Sequence, residues 1–375
     1  MRAGERSLRQ AASAAGGFAR REPFLTVLLL LFLALHLALP CPTAECLHAI
    51  DAHTIFALTA LLVTLTAMRE SGFLDALARR LLNRMHSERG LALVLLGGTA
   101  LSATVLTNDI ALFAFVPLTL SLQSRIEEDL GKLIVFEAIA ANVGSALTPI
   151  GNPQNLYLWG RWGLSFVGFV QAMAVPVAVE LALLAGAVLL LFRPRPLTLH
   201  LGEAASLNLR EAVRSLLLLL AAVVLIERGT PLDALAVVLL VTLIARPSLL
   251  GKVDWAFLLL FCLMFVDLHL VARLPWIATA VRRLPLDDPR GAFLCGVAFS
   301  QGMSNVPAAI FLSKFTTQWR ALTWGVNVGG NGIVIGSLAN LIALRFADDR
   351  RFWATFHRYA VPFLLLSAAL VMLFL

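Results

Sequence analysis

Three short stretches place polar, chemically capable side chains inside otherwise apolar runs: Thr107-Asn108-Asp109, Ser304-Asn305 and the segment SALTPIGNPQN at residues 145–155. Each offers hydroxyl or amide groups that donate and accept hydrogen bonds, and Asp109 adds a carboxylate. The third stretch also breaks a helix. Pro149 and Pro153 fix the bend and remove donors, and Gly151 lets the backbone approach closely. A broken helix presents two useful ends. The C-terminal end of its first half exposes carbonyls suited to Na⁺. The N-terminal end of its second half exposes N–H groups and a partial positive charge suited to an anion. Asn152 and Asn155 lie where either ligand would be met, and the residue types therefore point to the binding of a small ion or anion.

The elements around these stretches are set by composition. The chain has 375 residues, 59% of them apolar and 14% charged, with a mean hydropathy of +0.84, whereas a soluble domain carries roughly a quarter charged residues. Runs at 25–40, 54–68, 166–192, 255–272 and 359–375 approach or exceed the ~17 residues that cross a hydrocarbon core of about 30 Å. An all-α polytopic membrane protein follows. Two further runs, 91–122 and 291–317, are too long for one crossing and too short for two. Each is interrupted in the middle by the hydroxyl and amide residues above, as a re-entrant helical hairpin with a protein-buried tip would be. Segments 133–160 and 323–344 read as broken helices. FLDALARRLLNRM (73–85) and PWIATAVRRL (275–284) are basic amphipathic stretches suited to the membrane surface. Two short spans, about 214–227 and 232–246, turn at Glu227-Arg228-Gly229.

The order span, basic helix, interrupted hairpin, broken helix, span occurs twice. Asn142-Val143-Gly144 recurs as Asn327-Val328-Gly329, Ile150-Gly151 as Ile335-Gly336, and Asn155-Leu156 as Asn340-Leu341. Counting passages makes the second copy inverted, with about nine full crossings plus two hairpins. With the N-terminus inside, 22 of the 30 Lys and Arg residues fall on the cytoplasmic side. The expected organisation is a cytoplasmic tail (1–22), a first transport repeat (23–192), a linker (193–213) and an inverted repeat (214–375). Inverted repeats with paired interrupted helices are the architecture of secondary transporters. Thr107, Asn108, Asn152, Asn155, Ser304, Asn305 and Asn340 are the expected substrate contacts. Asp109, Asn108, Gly151, Asn305, Gly336 and Ser300 are the expected ion-coupling positions, with Na⁺ at Asn108, Asp109 and Gly151. Asp109 is the sharpest of these, because an ionisable group at such depth is costly and by default functional.

Plainer accounts weigh on several residues. One kink means little, since Gly and Pro are common in membrane helices; four matched breaks are harder to dismiss. Asp109 could merely cap a helix. Glu137 and Glu180 read first as residues paired inside the bundle, and Asp267 and His269 as members of a solvated span end. His48 and His53, five apart, do not share a helix face and are not a metal site. Cys41 and Cys46 share one loop and could pair in an oxidising compartment; two free thiols is the simpler alternative. The net charge of +7 is spread between spans, a topology signal rather than a nucleic-acid surface. No Walker A, HExxH, GxSxG or Rossmann fingerprint occurs, so ATP-driven transport has no support here.

The stretches LTNDIALFAFVPLTL, LTPIGNPQNLYLWGR, LSFVGF, SNVPAAIFL, VNVGGNG and GSLANLIALR resemble the ArsB/NhaD ion-transporter superfamily. That group includes the divalent-anion/sodium symporters and citrate-transporter-like permeases, and the likeness is nearest to YbiR-like inner-membrane anion permeases. It runs from about residue 23 to the C-terminus. The resemblance implies a transport domain moving against a scaffold in an elevator-like cycle, a homodimer, and hairpin tips that touch substrate and hold sodium with the broken-helix loops. Thr107-Asn108 and Ser304-Asn305 match the first two positions of the symporters' Ser-Asn-Thr tips. The third is Asp109 in one tip and Val306 in the other, so neither supplies the Thr hydroxyl, and Asn-Asp is closer to the arsenite and sodium/proton branches.

The expected function is secondary active transport of a small inorganic or organic anion across the cell inner membrane, coupled to H⁺ or Na⁺, with no other cofactor. The alternative is a Na⁺/H⁺ antiporter of the NhaD type, with Asp109 exchanging the two cations. A non-transporting receptor and an intramembrane enzyme come behind; the latter would need a base such as His269 facing Ser300 or Ser304. The expected partners are the anion, membrane lipid and a second copy of the chain, with no nucleic acid.

Overall fold

The computed structural model describes residues 23–39, 42–122, 126, 129–197, 207–347 and 351–375. The expected tail (1–22) and Cys41 lie outside the described residues, as does much of the linker. Among the described residues the protein is all-helical. Eighteen α-helices follow one another: α1 Pro23–Ala38, α2 Thr43–Ala49, α3 Ala52–Glu70, α4 Phe73–Leu82, α5 Glu88–Leu106, α6 Asn108–Leu120, α7 Leu130–Ser145, α8 Pro153–Trp162, α9 Phe166–Leu191, α10 Leu209–Glu227, α11 Pro231–Ala245, α12 Trp255–Arg273, α13 Pro275–Val281, α14 Pro289–Met303, α15 Asn305–Leu312, α16 Trp319–Gly329, α17 Leu338–Ala347 and α18 Phe352–Val371. Five helices, α3, α5, α9, α12 and α18 with its last turn, are long and apolar enough to cross a membrane. The chain is a helical membrane protein.

Local chemistry starts these helices where the sequence supplies a cap. Asp51 accepts from Thr54 N at 2.9 Å, Ser87 from Gly90 N at 3.1 Å, Asp254 from Phe257 N at 3.1 Å and Asp288 from Gly291 N at 2.8 Å, each satisfying an otherwise orphaned N–H. In α4, Leu74, Ala78 and Leu82 are buried at four-residue spacing, while Asp75 and Arg79 form a 2.9 Å ion pair on the surface. That is the amphipathic pattern read from the sequence. The final helix begins at Phe352 and the span after the linker at Leu209, both earlier than hydropathy alone marks, because His357 and Arg358 in one and Arg210, Glu211 and Arg214 in the other lie within the helix.

The expected hairpins and broken helices are present. Helices α5 and α6 form the first hairpin, and α14 and α15 the second; α7 with α8, and α16 with α17, are the broken helices. Each hairpin packs on its own broken helix, α5 on α7 and α14 on α16. Each hairpin's second arm also packs on the far half of the other broken helix, α6 on α17 and α15 on α8. Glycine sets the close approaches. A Cβ on Gly144 would lie 2.0 Å from the Ala100 carbonyl oxygen, and one on Gly325 would lie 2.2 Å from that of Phe293. Two of these contacts thus bring helix backbones together at distances no side chain allows.

Candidate functional site

The two hairpin tips share one unusual backbone conformation. Thr107 has φ 78° and ψ 151°, and Ser304 has φ 73° and ψ 155°. These are the two non-glycine residues with positive φ among those described. That region is essentially glycine territory and costs on the order of 1–3 kcal/mol per residue, a strain that tends to persist at functional sites. In each tip the turn lets one helix end and the next begin at an asparagine, Asn108 or Asn305, without an intervening loop.

The breaks are held by asparagines from the opposite half. Asn142, near the end of α7, donates from Nδ2 to Asn340 Oδ1 at 2.9 Å and to the Gly330 carbonyl at 3.0 Å. Asn327, near the end of α16, donates from Nδ2 to Asn155 Oδ1 at 2.7 Å. The four repeated asparagines therefore pair crosswise, each first-half residue with the far-half residue of the other copy. Asn155 Nδ2 in turn donates to the carbonyls of Ala146 and Thr148, both at 3.1 Å, and Asn340 Nδ2 to those of Gly330 (2.9 Å) and Ile333 (3.1 Å). In this way the loop carbonyls that a broken helix leaves unpaired find donors.

The first tip joins this network directly. The Asn108 backbone N–H donates to the Gly151 carbonyl at 3.1 Å, and Asn108 Nδ2 donates to Asn142 Oδ1 at 3.2 Å, where the Ser337 hydroxyl also donates at 2.9 Å. Asn152 caps α8 by accepting from Asn155 N at 2.9 Å, and donates to Asn327 Oδ1 at 3.0 Å and Ser145 Oγ at 3.1 Å. Gly151 has no room for a side chain, since a Cβ would lie 2.2 Å from the Ser145 carbonyl oxygen. Gly336 meets Gly329 O at 3.1 Å on the same test, and Asn305 Nδ2 lies against Gly330.

Both tips and both far-half helix starts face one cavity. Its lining includes Asn108, Asp109, Gln154, Ser304, Asn305 and Ser337, closed on one side by Phe257, Phe261 and Met264 of α12. A wider space adjoins it, lined by Thr107, Asp109, Asn152 and Pro153 and by the charged residues Arg69, Lys252, Asp254 and Arg345. Asp109 borders both, and its Oδ1 is buried with no hydrogen-bond partner. Lys252 is paired with Glu70. Ser300 is buried and spends its hydroxyl on the Gly296 carbonyl at 2.7 Å, one turn back in α14. Asn155 and Asn340 are fully buried, their amides engaged as described.

Several residues escaped the sequence reading. Asn142, Asn327, Ser337 and Gln154 belong to the network or the cavity lining; the repeated thirteen-residue spacing between the outer asparagines was the signal for the first two. Asp267, read as part of a solvated span end, is instead 0% exposed, and neither carboxylate oxygen has a partner. Its helix runs on past it to Arg273 and packs against α1. His269 lies 3.5 Å from Glu45, beside the Glu45–Arg273 pair.

Comparison with known proteins identifies the family. The citrate transporter family profile matches residues 18–324. The Escherichia coli inner membrane protein YbiR is 40% identical over 92% of this chain and 94% of its own length. The "Uncharacterized transporter MJ0456" of Methanocaldococcus jannaschii is 32% identical over 81% of this chain and 83% of its own. The rice silicon efflux transporter LSI3 is 30% identical over a shorter segment, 32% of this chain and 25% of its own length. The profile match over most of the length, with 40% identity to YbiR across nearly the whole of both chains, places this chain in the citrate transporter family of the ArsB/NhaD-type superfamily.

Proposed function

We propose that the protein is a secondary active transporter of a small organic or inorganic anion, coupled to H⁺ or Na⁺, in the cell inner membrane with its N-terminus cytoplasmic. The observation that carries this is the convergence of two hairpin tips and two helix N-termini on one cavity that contains a single carboxylate, Asp109. The N–H groups at the starts of α8 and α17, with Ser304, Asn305 and Ser337, suit the oxygens of an anion. The family's name makes citrate the first substrate to try. Carbonyls near Gly151 and Gly336, with Asn108 and Asn305, suit a sodium ion.

Asp109 then has a defined task. A fixed negative charge beside an anion repels it unless a proton or Na⁺ sits on the carboxylate, so substrate and cation enter together. The hairpins and broken helices of two inverted repeats would carry the site between the two membrane faces as one body against the remaining helices, in a homodimer. In this state the site adjoins the wider space lined by Arg69, Lys252, Asp254 and Arg345, which would be its route to water. The test is uptake of radiolabelled citrate, and of a panel of inorganic oxyanions, into proteoliposomes under imposed proton or sodium gradients. Accumulation that needs a gradient supports the proposal; equal uptake by protein-free liposomes would sink it.

A second reading, Na⁺/H⁺ antiport, is favoured by the unpartnered Asp109 Oδ1 at the cavity wall. It predicts radiolabelled-sodium efflux driven by a proton gradient with no anion present.

A further inference from the structure

The second half has no acid at its own breaks. Val306 stands in the second tip where Asp109 stands in the first, and residues 330–340 contain no Asp or Glu. The fold supplies one from α9. Glu180 is 1% exposed, and its Oε1 accepts from Asn331 Nδ2 at 2.8 Å. Asn331, equally buried, lies at the start of the second break, and its Oδ1 is buried without a partner. The buried Ser367 hydroxyl of α18 donates to the Leu364 carbonyl at 3.1 Å, one turn back in its own helix. Two polar side chains, one from α9 and one from the break, thus meet inside apolar packing.

No charge in the surroundings offsets an ionised Glu180. Helix α9 packs against α5, α7, α16 and α18, and it carries no other ionisable residue. The ionisable groups of those four neighbours are engaged elsewhere. Lys132 donates to the Leu191 carbonyl at 2.9 Å and Arg89 to that of Phe192 at 2.8 Å, both at the far end of α9. Glu88 lies 4.0 Å from Arg195, and Glu137 accepts from Thr119 at 2.7 Å. Arg320 covers the Trp324 ring and Arg358 the Tyr359 ring, while Tyr359 itself packs on Phe136. His357 contacts the Trp353 carbonyl at 2.7 Å through Nδ1, and its Nε2 accepts from Val334 N of the second break at 3.5 Å. An isolated carboxylate buried in this way is costly.

The donors also distinguish a proton from a metal ion. Asn331 turns its N–H, not its oxygen, toward the carboxyl group, so a hydrogen-bond donor already occupies the position a cation would take. A carboxyl group and a primary amide form a two-bond ring only when the acid carries its proton: the amide N–H donates to one carboxyl oxygen and the acid O–H donates to the amide oxygen. Asn331 has made the first bond and has its oxygen unpartnered. We propose that Glu180 is a second proton-carrying site, distinct from Asp109, and that loading or releasing its proton makes or breaks the acid–amide ring that holds the second helix break to α9. The proton comes from and returns to water, and no other bond changes. The consequence for transport rests on the function proposed above; the protonation itself does not.

The full chain in nanodiscs provides the test, by infrared difference spectroscopy across a pH titration. The wild type is expected to show the carbonyl stretch of a protonated carboxyl group that is lost in Glu180→Gln, and Asn331→Ala is expected to shift that band by removing a hydrogen bond from it. Hydrogen exchange of the peptide covering 330–337, corrected for intrinsic rate, should rise with pH in a His357→Gln background, which removes the ring that accepts from Val334 N, and become pH-independent when Glu180→Gln is added. Where Glu180→Gln does not fold, Asn331→Ala carries the test alone, and an unshifted spectrum overturns the proposal. A Glu180 that is ionised at every pH, or loop exchange with the same pH profile in the His357→Gln background with and without Glu180→Gln, also overturns it. With citrate as probe, Glu180→Gln should keep exchange across the membrane while losing at least tenfold in proton-driven accumulation. If the wild type moves no anion, the transport proposal fails while the infrared result still decides the protonation.

Discussion

Removing the Asn142 side chain should damage both halves of the protein at once. Asn142→Ala leaves Asn340 Oδ1 without its donor, and Asn108 Nδ2 and Ser337 Oγ without their acceptor. The Gly330 carbonyl keeps its bond from Asn340 Nδ2 at 2.9 Å. Three orphaned buried groups at about 1–3 kcal/mol each give a range of roughly 3–9 kcal/mol. Water entering the vacated space offsets part of this, so the expected loss is near the lower end, about 3 kcal/mol. Asn340→Ala removes the same contact from the other side. Because the Asn340 Oδ1 orphan cannot exist in the double variant, the two losses should fall short of additivity by about 1–2 kcal/mol. A double-mutant cycle by reversible unfolding in mixed micelles measures this directly, and the crosswise partner cycle, Asn155→Ala with Asn327→Ala, should give similar coupling. Additivity within about 0.5 kcal/mol in both cycles would refute the crosswise pairing.

Three further outcomes follow from the local geometry. Gly144→Ala and Gly325→Ala should each cost about 1–3 kcal/mol in thermal unfolding, because the new Cβ must displace the Ala100 or Phe293 carbonyl oxygen; Gly97→Ala, with open space around it, should cost nothing. Thr107→Gly and Ser304→Gly should raise the thermal midpoint, since releasing about 1–3 kcal/mol of backbone strain outweighs the roughly 0.5–1 kcal/mol entropic cost of glycine; a lowered midpoint in both would show that the tips are unstrained. Asp267→Asn should be neutral or stabilising by unfolding, because it removes a buried acid whose oxygens have no partner; a loss above about 2 kcal/mol would reveal an unseen partner.

What the sequence disclosed and what it hid follow from locality. Helix breaks are written in local chemistry: Gly151, Pro153 and Asn152 stop and restart a helix within a few residues, so hairpins and broken helices were legible, and the repeated spacing of the asparagines marked them as a set. Their partners were not, because Asn142 finds Asn340 across 198 positions and Glu180 finds Asn331 across 151. Nothing near Glu180 in sequence announces that contact. Asp267 misled for the same reason. The run Asp267-Leu268-His269 reads as a polar span end, whereas the carboxyl group is buried in helix packing that the local sequence does not show.

The central claim is that one cavity, with Asp109 on its wall, carries an anion together with a coupling cation. Its most direct test is radiolabelled anion uptake into proteoliposomes of wild type and Asp109→Asn, with sodium movement followed in parallel. The account predicts anion accumulation driven by an inward proton or sodium gradient in the wild type, reduced at least a hundredfold in Asp109→Asn. Proton-driven sodium efflux with no anion required, or accumulation unchanged in Asp109→Asn, would contradict it.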